Sequence, residues 1–219
     1  MSFIERPRAV VFDWDNTLVE SWIAIREALN HTLEAMGHAP WPMEAVKERV
    51  RHSLRNSFPL LFGADWETAR QIYLDRFQAI HLAHMQPIEG ALPLLDRLGA
   101  LGIYRAVVSN KTGPILRREV AALGWEQRFG RVVGAGDAAL DKPARAPIDL
   151  ALDGSGIAAG ESVWYVGDTG LDIECALNAG CLPVLVHMPV PPPPHEADAV
   201  ARARFSFADF KELAGALPA

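Results

Sequence analysis

The chain has 219 residues and a mass of 23.9 kDa, enough for one substantial core and a small appended lobe. Half of the residues are hydrophobic and the net charge is −6, which argues against a general nucleic-acid binder, because such a protein needs a basic face for the phosphates. No apolar stretch reaches the ~18 residues of a membrane helix, the start has no apolar signal core, and two cysteines are too few for a disulfide framework, so a cytoplasmic setting with Cys175 and Cys181 packed in the core is expected.

Ala9 to Phe12 is apolar and valine-rich and reads as a strand buried on both faces. The next such run, Tyr104 to Val108, comes about ninety residues later, too far for one crossover helix. Between them, residues 20–88 read as a helical insert of three amphipathic helices. The first carries Trp22, Ile25, Leu29, Leu33 and Met36; the second Met43, Val46, Val50 and Leu54; the third Trp66, Ala69, Tyr73, Phe77 and Ile80. The segments Gly37 to Pro42 and Phe58 to Ala64 supply its turns. After the insert, helix and strand alternate. Helices are expected at Ala91 to Leu101, Pro114 to Leu123 and Ile173 to Ala179, and strands at Arg131 to Val133, Val163 to Val166 and Pro183 to Val186. Pro189 to Pro194 reads as a rigid connection. Phe205 to Leu217 reads as a short strand or turn, then a helix with Ser206 as its N-cap. This alternation predicts an α/β fold, a doubly wound parallel sheet of residues 1–19 and 89–219, with residues 20–88 as a small α-helical cap.

Three polar clusters begin where an expected strand runs out: Asp13-Trp14-Asp15-Asn16-Thr17, Ser109-Asn110-Lys111 and Gly167-Asp168, the last followed by Asp172. A fourth, Asp141-Lys142-Pro143, follows the short third strand after a loop. In an open parallel sheet ligands bind beyond the carboxyl ends of the strands, so these groups are expected to converge. Asp13, Asp15, Asp168 and Asp172 would bring four negative charges against Lys142. Two like charges 4 Å apart repel by ~4 kcal/mol at an effective dielectric near 20, so a cation is expected among them. All-oxygen ligands suit Mg²⁺. Residues i and i+2 of an extended segment point the same way, so Asp13 and Asp15 can flank one reacting centre, one as nucleophile and one as acid and base. Ser109, Asn110, Lys111 and the turn at Asn16 and Thr17 are placed as phosphate binders, Lys142 as the neutralising cation, and Asp168 as a metal ligand, with Asp172 beside it at the metal or one shell further out. In the insert, Lys47, Arg51 and Arg55 recur every four residues with His52 alongside, and Arg51, His52 and Arg55 are candidates for substrate selection.

In order and spacing these segments resemble the motifs of the haloacid dehalogenase superfamily of phosphatases, over residues 8 to about 187, and most of all its phosphoglycolate-phosphatase-like branch. The resemblance implies a Rossmann-like core with a helical cap, a small phosphorylated metabolite as substrate, and an aspartyl-phosphate on Asp13. It makes Asp13 and Asp168 Mg²⁺ ligands and has Asp15 binding the ion through its backbone carbonyl. Asn16 stands where this branch usually has glycine, and asparagine tolerates unusual backbone angles. Trp14 replaces a commoner phenylalanine or leucine and is expected beside the leaving group. A phosphomutase of the β-phosphoglucomutase kind, returning the phosphoryl group to a sugar, and a catalytically silent binding module of the same fold are the alternatives that the motifs leave open.

Overall fold

Four apolar residues with two β-branched valines make Ala9–Phe12 a fully buried strand, β1. The computed structural model describes residues 5–50, 52–187 and 194–218. The chain divides into one unit of Met1–Leu18 with Pro87–Ala219 and a second of Val19–Gln86.

The second unit runs through β2 (Val19–Glu20), α1 (Trp22–Ala35), α2 (Met43–Arg49), α3 (Leu54–Phe62) and α4 (Trp66–His84) to β3 (Gln86–Pro87), which pairs with β2. Ile25, Leu29 and Leu33 of α1 and Leu74 and Phe77 of α4 form the buried faces of two helices packed along each other, and Arg76 pairs with Glu27 across them. The single helix expected over Met43 to Leu54 is two helices. Val50 and Ser53 take extended backbone between them, because α2 buries only Val46 and has little apolar grip to prolong it. The break also divides the expected basic stripe, with Lys47 on α2 and Arg55 on α3. Phe58 to Ala64 is largely helix and not the expected turn. Pro59 lies inside α3, where Phe58 and Phe62 are buried with their rings 5.0 Å apart edge to face, so packing overrides the proline.

The first unit continues from β1 with α5 (Ala91–Ala100), β4 (Tyr104–Thr112), α6 (Gly113–Ala122), β5 (Arg131–Ala135), α7 (Ala146–Leu152), β6 (Val163–Gly167), α8 (Gly170–Asn178), β7 (Leu182–Val186), α9 (Ala197–Val200), β8 (Phe205–Phe207) and α10 (Phe210–Ala216). The six long-sheet strands run parallel in the order β5-β4-β1-β6-β7-β8, so the chain builds outward on one side of β1 and then crosses to the other. One face of this sheet buries Val11, Ala106, Val108, Val133 and Tyr165 against Ile148 and Leu152 of α7 and Cys175 and Ala176 of α8; Cys181 is buried there too. On the other face Phe12 meets Phe210 edge to face.

Two further departures have local causes. Ser206 lies inside β8, and the N-cap of the last helix is Asp209, whose Oδ1 accepts the Glu212 amide at 2.8 Å. Strand β4 runs four residues beyond the apolar stretch, with a register shift between Val108 and Thr112. Residues 189–193 of the proline-rich segment lie outside the described residues. Among those described, no helix is long and apolar enough to cross a membrane.

Candidate active site

The register of the sheet sets the site. Phe12 lies level with Val107 of β4 and Val166 of β6, so Asp13, Ser109 and Asp168, one or two residues further on, leave the sheet at one edge. There β1 is flanked by strands reached in opposite chain directions, the switch point where such sheets hold ligands. The Asp13 amide donates to Val166 O at 2.8 Å, tying the turn after β1 to β6. Asn16 sits at φ 62°, a left-handed conformation that asparagine accepts better than most residues. It brings Thr17 round so that its hydroxyl donates to Asp168 Oδ1 at 2.8 Å.

Two buried lysines divide the carboxylates. Lys142 Nζ donates to Asp13 Oδ1 at 2.7 Å and to Asp172 Oδ1 at 2.8 Å. The other Asp172 oxygen accepts from the Thr169 amide and hydroxyl, closing a capping box at the start of α8. Gly167 makes room for this arrangement, since a Cβ there would lie 2.3 Å from Asp172 Cγ. Lys111 Nζ donates to Asp15 Oδ1 and to Glu119 Oε2, both at 2.6 Å. Ser109 is buried and its Oγ accepts the Lys111 amide at 3.2 Å, while the Asn110 side-chain amide donates to Lys142 O at 3.4 Å.

Burial pushes the Asp13 carboxyl up to about 7; Asp172 and Asp15 add to the rise and Lys142 opposes it. Burial likewise lifts Asp168 well above the ordinary carboxylate value, reinforced by Asp172 and Asp13. Burial works against both lysine charges, but the carboxylates win. Lys142 is held well above its usual value by Asp13 and Asp172, and Lys111 is raised by Asp15 and Glu119.

Both carboxyl shifts come first from burial and then from carboxylates set close together. Asp13, Asp168 and Asp172 each offer a carboxylate oxygen within 4.8 Å of the others. Lys142 serves Asp13 and Asp172, and among the described residues no lysine or arginine pairs with Asp168. A small hard cation with oxygen ligands fits this donor set, and Mg²⁺ is such an ion.

Trp14 departs from its expected place beside a leaving group. Its indole is fully buried, 5.9 Å from the Trp125 ring and 6.4 Å from that of Phe129, and its Nε1–H donates to Glu119 Oε2 at 2.6 Å. On an extended segment the residue between two carboxylates facing one way must face the other. Glu119 was not foreseen. The available signal was a charged residue in step with Ile115, Leu116 and Val120 on the apolar face of α6, which announces a buried partner. Glu196 was missed as well; its carboxylate accepts the Gly170 amide at 2.6 Å at the head of α8. In the helical unit taken alone, Lys47 lies over the Trp22 ring, and His52 lines a cavity of about 280 Å³ with Trp41, Arg49, Phe58 and Tyr73. Arg55 begins α3 with Leu54. Arg51 lies outside the described residues.

The sequence profile of the haloacid dehalogenase-like hydrolases matches residues 10–186. A phosphoglycolate phosphatase of Rhodospirillum rubrum is 36% identical over 192 residues, spanning 82% of this chain and 79% of that protein. An N-acetylmuramic acid 6-phosphate phosphatase of Pseudomonas aeruginosa is 31% identical over 187 residues, spanning 80% and 79%. Among solved structures, a HAD-superfamily hydrolase of Ehrlichia chaffeensis superposes with a TM-score of 0.65 at 28% identity over 97% of this chain and 96% of that one. CbbY of Rhodobacter sphaeroides, solved with phosphate, shares the fold with a TM-score of 0.81 at 22% identity over 96% and 99%.

Proposed function

The chain belongs to the haloacid dehalogenase-like hydrolase family, and from that premise we propose a Mg²⁺-dependent phosphatase that hydrolyses a small phosphomonoester of the phosphoglycolate kind through an aspartyl-phosphate on Asp13. The observation that carries this reading is the buried Lys142 shared between Asp13 and Asp172, beside an Asp15 held by a second buried lysine. Lys142 opposes the neutralisation that burial imposes on Asp13 and so favours the carboxylate form that a nucleophile requires.

An Asp13 carboxylate oxygen attacks phosphorus, and the bond from phosphorus to the ester oxygen breaks. Asp15 gives its proton to that departing oxygen. Asp15 then takes a proton from water as the water attacks phosphorus, releasing inorganic phosphate and restoring the Asp13 carboxylate. Lys142 stabilises the charge that passes between Asp13 and the phosphoryl group, and Ser109 and the amides of the Asn16–Thr17 turn, with Asn110, receive the phosphoryl oxygens. Asp172 acts through Lys142 and Thr169, both of its oxygens being engaged. Asp13, Asp168 and the backbone carbonyl of Asp15 would hold Mg²⁺, and the bound ion would supply positive charge against the phosphoryl oxygens. Arg51, His52 and Arg55 are the candidates for reading the rest of the substrate.

Phosphate release from phosphoglycolate, N-acetylmuramic acid 6-phosphate and sugar phosphates, with and without Mg²⁺, tests the reading. Release that needs the ion and disappears in Asp13→Asn is the expected result. A folded wild type that releases no phosphate from any of them with Mg²⁺ present overturns it.

A further inference from the structure

The steps above give no task to the Lys111–Glu119 pair, although it is among the most deeply buried polar features of the first unit. The Lys111 side chain is 6% exposed and that of Glu119 1%. Lys111 stands next to the last residue of β4, within the register shift, and Glu119 stands two helical turns into α6. A buried ion pair gains little over well-packed apolar side chains of similar size, so stability alone does not account for it.

What the pair does have is connections in two directions. Lys111 Nζ reaches Asp15 Oδ1 at 2.6 Å. The Glu119 Oε2 atom that accepts from Lys111 also accepts the Trp14 indole N–H at 2.6 Å. Trp14 is the residue between Asp13 and Asp15, and its ring is wedged against Trp125 and Phe129. One carboxylate oxygen therefore anchors both the side chain of Asp15 and the peptide segment that carries Asp13 and Asp15. The anchor is a helix, not a loop.

We infer that Lys111 and Glu119 are positioning residues for the acid–base step. Glu119 holds Lys111, Lys111 holds the Asp15 carboxyl in the orientation that hands a proton to the departing oxygen, and the Trp14 hydrogen bond fixes the segment between the two carboxylates. This assigns Lys111 to Asp15, in place of the phosphate contact expected from the sequence. The inference rests on the phosphatase reading.

Leaving-group dependence separates positioning from simple support of the fold. An alkyl oxygen needs its proton to depart, whereas a nitrophenolate leaves without one. Wild type, Glu119→Gln and Lys111→Met/Glu119→Gln are compared on phosphoglycolate and on p-nitrophenyl phosphate with Mg²⁺. The double variant removes both buried charges and keeps an acceptor for Trp14. Its kcat on phosphoglycolate is expected to fall roughly 100-fold with KM within about threefold, while kcat on p-nitrophenyl phosphate falls less than about tenfold. Glu119→Gln, whose amide oxygen can still accept from Lys111 and Trp14, is expected to lie between. Equal losses on both substrates, or a change in KM without kcat, overturn the inference while leaving the phosphatase reading intact. A folded wild type inactive on both substrates removes both. Should the double variant fail to fold, Glu119→Gln decides alone: a shifted ratio of the two substrates supports positioning and an unchanged ratio refutes it.

Discussion

The carboxyl of Asp13 should make the stability of the metal-free protein fall as the pH rises, and Mg²⁺ should reverse that fall. Burial lifts this group from 3.8 to about 7, with Asp172 and Asp15 adding and Lys142 opposing. At 1.36 kcal/mol per unit, the folded chain holds this proton more tightly than the unfolded chain by roughly 4 kcal/mol. Because the folded value is the higher one, the stabilisation is complete below the unfolded value of 3.8 and is lost as the pH climbs through about 7. For a chain of this size, 4 kcal/mol corresponds to roughly 10 °C in Tm. An ion held by Asp13 would bind its carboxylate form, so its stabilising effect should grow across the same window and its binding should release protons. Thermal melting of wild type and Asp13→Asn, with and without Mg²⁺, measures both effects. The metal-free wild type should lose stability relative to Asp13→Asn between about pH 4.5 and pH 7.5, and Mg²⁺ should raise its Tm more at the upper end. Calorimetry near pH 6.5 in two buffers of different ionisation heat should show protons released on Mg²⁺ binding, fewer in Asp13→Asn. Parallel melting curves for wild type and variant across this range, together with no proton release, would refute the assignment of a raised carboxyl to Asp13.

Other perturbations have equally definite outcomes. Lys142→Met leaves Asp13 and Asp172 facing each other without their shared cation, and urea melts of the metal-free protein at pH 7.5 should show a loss of about 3–5 kcal/mol along with loss of turnover. Gly167→Ala places a methyl 2.3 Å from Asp172 Cγ, so it should displace that carboxylate from Lys142 and Thr169, cost roughly 1–3 kcal/mol and depress kcat. Asp209→Ala removes the N-cap of α10; denaturant melts should show a loss of about 1 kcal/mol with turnover unaltered.

The sheet, and the edge where its polar groups gather, were legible in local sequence alone. Buried parallel strands are continuous apolar runs, so β1, β4, β5, β6 and β7 were all visible, and Asp13, Ser109 and Asp168 stood out as polar groups that interrupt those runs. The left-handed backbone at Asn16 was likewise within reach, because it depends on one side chain and its own peptide. Sequence periodicity failed where neighbours decide. The spacing of Val46, Val50 and Leu54 is unbroken, yet the helix stops at Arg49, because packing and not periodicity sets how far α2 continues. Pro59 signals a turn, yet the buried rings of Phe58 and Phe62 keep it in a helix. Trp14 was misplaced, and Glu119 went unseen, for one shared reason. Their partners lie 105 residues apart in the chain, and a hydrogen bond between a strand end and a distant helix exists only once the sheet has brought α6 beside β1. Local propensity can say which side chains are available; which of them share a proton or a charge is decided by the fold.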